Sequence, residues 1–282
     1  MKTDSKFNGK LVEGAGGCKL FVETTGDPGN PPILFIHGFS ACRLSWDGQF
    51  ESDLADRFHL VRMDIRGHGL SDKPEDLAAY QDGKIWADDI AAVIRDLNLD
   101  RPVLCGWSYA GWILCDYVRH RGQDGIAGLS FVGAATEFGR DEAMALLGPD
   151  LLERAEGMLS NDGGISSAAF QGFMDVLTFD DLDPHDFYLF LGFAAVVPPY
   201  ARQGMFTREM NNEDILRDLT VPVLIQQGEE DRIVLKAAAD NIARLVPGAT
   251  KAYYPKCGHA PFFEVTDRFN QDLGAFVRQC QA

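Results

Sequence analysis

Seven short apolar runs recur along the chain, each closed by turn residues. They are Lys19–Glu23, Ile33–Ile36, His59–Met63, Val103–Cys105, Leu129–Val132, Val221–Gln226 and Lys251–Tyr254. Runs this short, rich in β-branched and aromatic side chains, suit buried strands. Between them Ile85–Leu97 places apolar residues at 85, 86, 90, 93, 94 and 97, the stripe of an amphipathic helix. Phe262–Val277 repeats that stripe near the C-terminal end. Parallel neighbours need a crossover connection, and the crossover helix packs on the sheet. The alternation therefore predicts an α/β chain with a mostly parallel sheet covered on both faces.

The alternation lapses between residues 137 and 212, where the sequence is rich in Phe, Leu and Met and reads as helices and loops without clear strands. It resumes at Leu219-Thr220-Val221-Pro222. The expected organisation is a core over 1–136 and 213–282, with a mainly helical cap inserted over 137–212.

One strand-to-helix junction stands out. Val103-Leu104-Cys105 runs into Gly106-Trp107-Ser108-Tyr109-Ala110-Gly111, and a helical pattern follows at once. A strand that turns directly into a helix makes a tight corner, and small residues must flank it because the two backbones approach closely. Such a corner pushes the Ser108 hydroxyl into the open and aims the first helical N–H groups at whatever it attacks. That is the shape of a nucleophile elbow.

Here the chain resembles the α/β-hydrolase fold family, whose elbow reads G-x-S-x-G; Ala110 stands where the second glycine would be. The segment Ile33–Ser40, a strand ending in His37-Gly38-Phe39, resembles the family's first oxyanion loop. The resemblance implies that the backbone N–H groups of Phe39 and Tyr109 form the oxyanion hole, with His37 shaping the loop. Asp64-Ile65-Arg66-Gly67-His68-Gly69-Leu70-Ser71 resembles the D-x-R-G-H-G-x-S segment of the same fold, whose role is structural. Val223–Asp231 ends in G-x-x-D, which makes Asp231 the acid; Glu229, Glu230 and Glu137 are competing positions. Cys257-Gly258-His259-Ala260-Pro261-Phe262-Phe263-Glu264 resembles the family's G-H-x-P-x-x-E segment and makes His259 the general base. The order Ser108, Asp231, His259 is the one this fold requires.

These assignments imply a Ser-His-Asp triad that cleaves an ester of a small hydrophobic substrate through an acyl-enzyme. No metal or organic cofactor is expected: the sequence holds no metal-ligand spacing, no P-loop and no dinucleotide fingerprint. The first reading is a carboxylic ester hydrolase. A lactonase or C–C bond hydrolase follows it. A cofactor-free haloperoxidase or perhydrolase comes third, and a non-enzymatic small-ligand receptor on the same fold is also open. Serine at the elbow disfavours the dehalogenases and epoxide hydrolases of this fold, which use aspartate there. Trp107, Trp46, Phe187 and Phe190 are expected to line the substrate pocket.

Charge bounds the partners. Lys and Arg number 26 against 42 Asp and Glu, a net charge of −16. Such a chain repels phosphate backbones and anionic lipid, so neither nucleic acid nor membrane is an expected partner. The six cysteines form no C-x-x-C pair and are expected to be reduced, structural thiols. The opening MKTDSKFNGK has no apolar signal region and no run approaches a membrane span, so a cytoplasmic location is expected. The sequence leaves oligomeric state open.

Overall fold

A computed structural model describes residues 9–208 and 210–281. Residues 1–8 of the opening segment MKTDSKFNGK, used for the localisation expectation, lie outside the described residues. An eight-stranded sheet forms the centre, from β1 (Gly9–Glu13), β2 (Lys19–Thr25), β3 (Pro32–Ile36), β4 (His59–Met63), β5 (Val103–Trp107) and β6 (Gly128–Val132), completed after an insertion by β9 (Val223–Gly228) and β10 (Thr250–Tyr254). The two remaining strands, β7 (Glu137–Phe138) and β8 (Met210–Asn211), pair with each other in a separate antiparallel ribbon. The order across the main sheet is β1-β2-β4-β3-β5-β6-β9-β10. β1 and β2 are antiparallel to their neighbours, and the strands from β4 to β10 run parallel.

Strands β3, β4, β5 and β6 are buried at every position, as a sheet covered on both faces requires. The helices Gly83–Asp96 and Ala110–Arg121 pack on each other, while Thr266–Cys280 packs against β6 and β9. The first of these helices starts at Asp82, whose carboxylate accepts from the Lys84 N–H at 2.8 Å, and buries Trp86, Ile90 and Val93. The C-terminal stripe is split: Pro261–Glu264 and Thr266–Cys280 are separate helices joined at Val265, where φ is −132° and ψ 48°.

The topology positions the site. From β3 the chain steps to β4 on one side, then crosses to β5 on the other, and builds outward from there. The carboxyl ends of β3 and β5 are therefore adjacent, with Ile36 paired to Gly106, at the point where the strand order reverses. Ligands of open α/β sheets sit at such a point.

Between β6 and β9 the chain forms the helices Pro149–Met158, Gly163–Met174, Pro184–Ala195 and Pro199–Met205. Asp162 and Asp183 cap two of them, and Pro184 and Pro199 occupy first-turn positions where no N–H is missed. One correction concerns strands. The stretch expected to have none contains β7 and β8, where Glu137 pairs with Asn211 and Phe138 with Met210, two residues a side. Pairing this short leaves no alternation in the sequence to read.

Candidate active site

Ser108 has φ +56°, in the left-handed region a non-glycine residue enters only at a cost of about 1–3 kcal/mol. Three contacts hold it there. Its N–H donates to the Val132 carbonyl at 2.9 Å, and its own carbonyl accepts from Gly111 at 2.9 Å and Ala135 at 3.2 Å. The glycines of the elbow are a packing requirement. A Cβ on Gly111 would lie 2.4 Å from the Ala135 carbonyl oxygen, and one on Gly106 would lie 2.9 Å from Leu114 Cγ. On the facing loop, a Cβ on Gly38 would meet Ser108 Cβ at 2.9 Å. The N–H groups of Phe39 and Tyr109 donate to no other described residue.

His259 and Asp231 meet in the interior. His259 Nδ1 lies 2.8 Å from Asp231 Oδ2, and the two side chains are 1% and 0% exposed. Each carboxylate oxygen is fixed. Oδ1 accepts from the Ile233 and Val234 N–H groups at 2.8 and 2.9 Å; Oδ2 also accepts from Gln227 Nε2 at 3.0 Å. The histidine loop is held from three sides. The His259 N–H donates to the Leu177 carbonyl at 2.9 Å, and Trp107 Nε1 donates to the His259 carbonyl at 2.8 Å. The Glu264 carboxylate accepts from the Gly258, Ala260 and Phe179 N–H groups. The competing acids are placed elsewhere. Glu229 and Glu230 are exposed, and Glu137 takes Arg140 Nη2 at 2.6 Å and Asn241 Nδ2 at 3.2 Å.

Ser108 and His259 line one cavity of about 40 Å³, with Phe39, Trp107, Tyr109 and Trp112 on its core side and Leu147, Leu151, Phe173 and Phe206 opposite. A second apolar cavity of about 170 Å³ shares Phe39, Leu147, Leu151 and Phe206 with it. Of the expected pocket residues, Trp107 lines the site and three do not. Trp46 is fully buried beneath it, its ring 5.0 Å from Phe35 and 4.6 Å from Phe262. Phe190 packs on Phe193 and Phe263, and Phe187 on Tyr188, all away from the cavity. Facing sides of inserted helices are set by how they dock, which a lone sequence does not carry. Ile233 and Val234, whose N–H groups cap Asp231, also line the cavity, and no sequence pattern marks them.

The remaining motifs scaffold the site. His37 Nε2 accepts from the Ile65 N–H at 3.2 Å and His68 Nε2 from the Ser40 N–H at 3.1 Å. Burial pushes both rings far below the ordinary histidine range, to about 4 for His37 and about 3 for His68. Asp64 accepts from the Arg43 backbone and guanidinium and from Leu70, and Arg66 makes a two-point pair with Asp89. All six cysteines are free thiols. Among the described residues, Asp183, His185 and Asp186 bring ligand atoms within 4.8 Å of one another. That group is exposed and capping explains it: Asp183 accepts from the His185 and Asp186 N–H groups.

The eight-stranded, mostly parallel sheet flanked by helices, with a strained serine after β5 and a buried acid–histidine pair after β9 and β10, is an α/β-hydrolase arrangement. Residues 33–272 match the alpha/beta hydrolase family model, and the chain belongs to that family. A putative aryl esterase from Burkholderia cenocepacia is 32% identical, with a TM-score of 0.90 over 97% of this chain and 99% of that one. The esterase RhEst1 from Rhodococcus sp. ECU1013 is 29% identical, with a TM-score of 0.89 over 96% and 99%. A non-heme haloperoxidase from Rhodococcus erythropolis is 28% identical over 95% of this chain and 98% of its own length.

Proposed function

We propose that the protein is a serine esterase acting on small, neutral, hydrophobic esters. The observation that carries this reading is the buried 2.8 Å contact between Asp231 and His259, the histidine lining the same cavity as the strained Ser108. His259 takes the Ser108 proton as Oγ attacks the ester carbonyl, Asp231 holds the ring with Nδ1 protonated, and the alkoxide leaves with the proton His259 returns. The Phe39 and Tyr109 N–H groups receive the oxyanion. Water, deprotonated by His259, then releases the acid from the acyl-enzyme. The helical segment over 137–212 serves as a cap, contributing Leu147, Leu151, Phe173 and Phe206 to the pocket. The small cavity favours short acyl groups, with the adjoining apolar cavity taking the alcohol side.

The test compares p-nitrophenyl acetate, butyrate and octanoate with wild type and Ser108→Ala. Serine-dependent release, fastest for acetate or butyrate, supports the reading. Near-full turnover in Ser108→Ala overturns it.

A second reading has its own support. The haloperoxidase from Rhodococcus erythropolis and a bifunctional esterase/perhydrolase from Acinetobacter calcoaceticus, 28% identical, point to peroxide as an alternative acyl acceptor. Hydrogen peroxide in place of water would give its proton to His259 and leave as the peracid, restoring Ser108. Bromination in acetate and peroxide that vanishes in Ser108→Ala supports this second activity.

A further inference from the structure

Arg202, on the helix Pro199–Met205, is 4% exposed, yet its guanidinium has neither an acidic partner nor a hydrogen-bond acceptor among the described residues. The other buried arginines are all paired: Arg43 with Glu23 and Asp64, Arg62 with Glu23 and Asp47, Arg66 with Asp89; half-buried Arg208 is paired with Asp116. The Arg202 Nε is buried without an acceptor, an unfavourable state for a charged donor. The Phe170 ring centre lies 5.1 Å from its guanidinium carbon, a contact that offsets only part of that. Burial accordingly pulls its pKa below the ordinary arginine value.

Arg202 lines a cleft of about 530 Å³ that is separate from the catalytic cavity. The amino end of the twelve-residue helix Gly163–Met174 opens onto the same cleft at Gly163, and Ser166 and Ser167 follow it. The opposite wall is apolar, with Leu191, Val196 and Val197, and Tyr188 stands 69% exposed at its edge. One guanidinium without an anion, set beside hydroxyls, calls for a single negative charge; the helix amino end adds little, because the Asp162 carboxylate already accepts from its Ile165 N–H. An apolar wall calls for a hydrophobic body attached to it. No lysine lines the cleft, so a multiply charged phosphate is poorly matched.

We propose that this cleft binds an organic monocarboxylate with an aryl or short alkyl body, its carboxylate on Arg202. The site stands apart from the esterase reading and does not depend on it. The probe is 4-fluorobenzoate, followed by fluorine NMR and calorimetry on the full chain, with 4-fluorobenzamide as its neutral counterpart. Saturable binding of the benzoate, weakened roughly tenfold or more in Arg202→Gln and partly retained in Arg202→Lys, is the expected result. The benzamide should bind far more weakly, and p-nitrophenyl acetate hydrolysis should be unchanged in both variants. Equal affinity in wild type and Arg202→Gln, equal affinity for the amide, or displacement by inorganic phosphate at comparable concentration each overturns the proposal. So does the lack of saturable binding to wild type. Absence of esterase activity in the wild type alongside Arg202-dependent benzoate binding would count against the esterase reading alone, and loss of hydrolysis in the variants alone would overturn the separation of the two sites.

Discussion

At the scale of single residues, Asp231 shows how its neighbours narrow what can replace it. Its Oδ2 receives two donors, His259 Nδ1 and Gln227 Nε2, while Oδ1 receives two backbone N–H groups. In Asp231→Asn the amide oxygen suits the backbone pair, which turns the NH₂ group toward two donors and favours the wrong histidine tautomer. We expect kcat to fall by about 10⁴-fold with the fold intact, checked by steady-state kinetics beside circular dichroism. Glu137→Gln should stay near wild type, because Glu137 faces Arg140 and Asn241. A larger loss in Glu137→Gln would reassign the acid. The buried histidines give a second residue-scale expectation. His37 and His68 titrate at about 4 and about 3 when folded, against 6.5 unfolded, because burial penalises their charged forms. The unfolded state binds more protons in that interval, so stability is full above pH 6.5 and is lost as pH falls toward 4. For His37 alone the loss is about 3 kcal/mol. Urea midpoints at pH 7.5 and 5 should drop accordingly, and His37→Gln should flatten the slope.

At the scale of elements, the elbow is decided by contacts between backbones. Gly111→Ala sets a methyl 2.4 Å from the Ala135 carbonyl, a clash no rotamer relieves, whereas Ala110→Gly restores the family's usual residue and only weakens helix propensity. We expect Gly111→Ala to lose soluble expression or drop the melting temperature by well over 10 °C, and Ala110→Gly to cost about 1 kcal/mol with activity kept. A tolerated Gly111→Ala would show that the helix can slide away from β6. The same contrast explains what the sequence made legible. Five of the seven expected strands were readable because burial on both faces demands unbroken apolar runs, as in Ile33–Ile36, whereas β2 and β10 showed through their β-branched and aromatic residues alone. β1 was not, because it is an edge strand with only Val12 buried. The placement of Ser108 and His259 at strand ends was readable because corners and loops there demand particular small residues in a fixed order. Trp46 was misread because a large aromatic near a site in sequence says nothing of which layer it fills; here it fills the layer under the cavity. Phe206 was overlooked because it sits just past a helix end, where no periodicity marks its direction.

At the scale of the whole molecule, charge sets which esters reach the cavity. The excess of 42 acids over 26 bases gives a net −16 that acts over about 8–10 Å of solvent at moderate salt and much farther at low salt. Among the described residues, no cationic side chain lines the cavity that Ser108 and His259 share. Arg202 faces a different cleft, and its attraction is confined to groups already in contact with it. A neutral ester such as p-nitrophenyl acetate should therefore show kcat/KM independent of ionic strength. The anionic ester 4-acetoxybenzoate should be a poorer substrate whose kcat/KM rises severalfold as sodium chloride goes from about 10 to about 150 mM, because salt screens the repulsion that slows its approach. Stopped-flow or steady-state rates at both salt levels check this. A fall with salt for the anionic ester would mean that positive charge dominates the approach to Ser108, and the cavity would then have to be read as one built for carboxylate-bearing substrates.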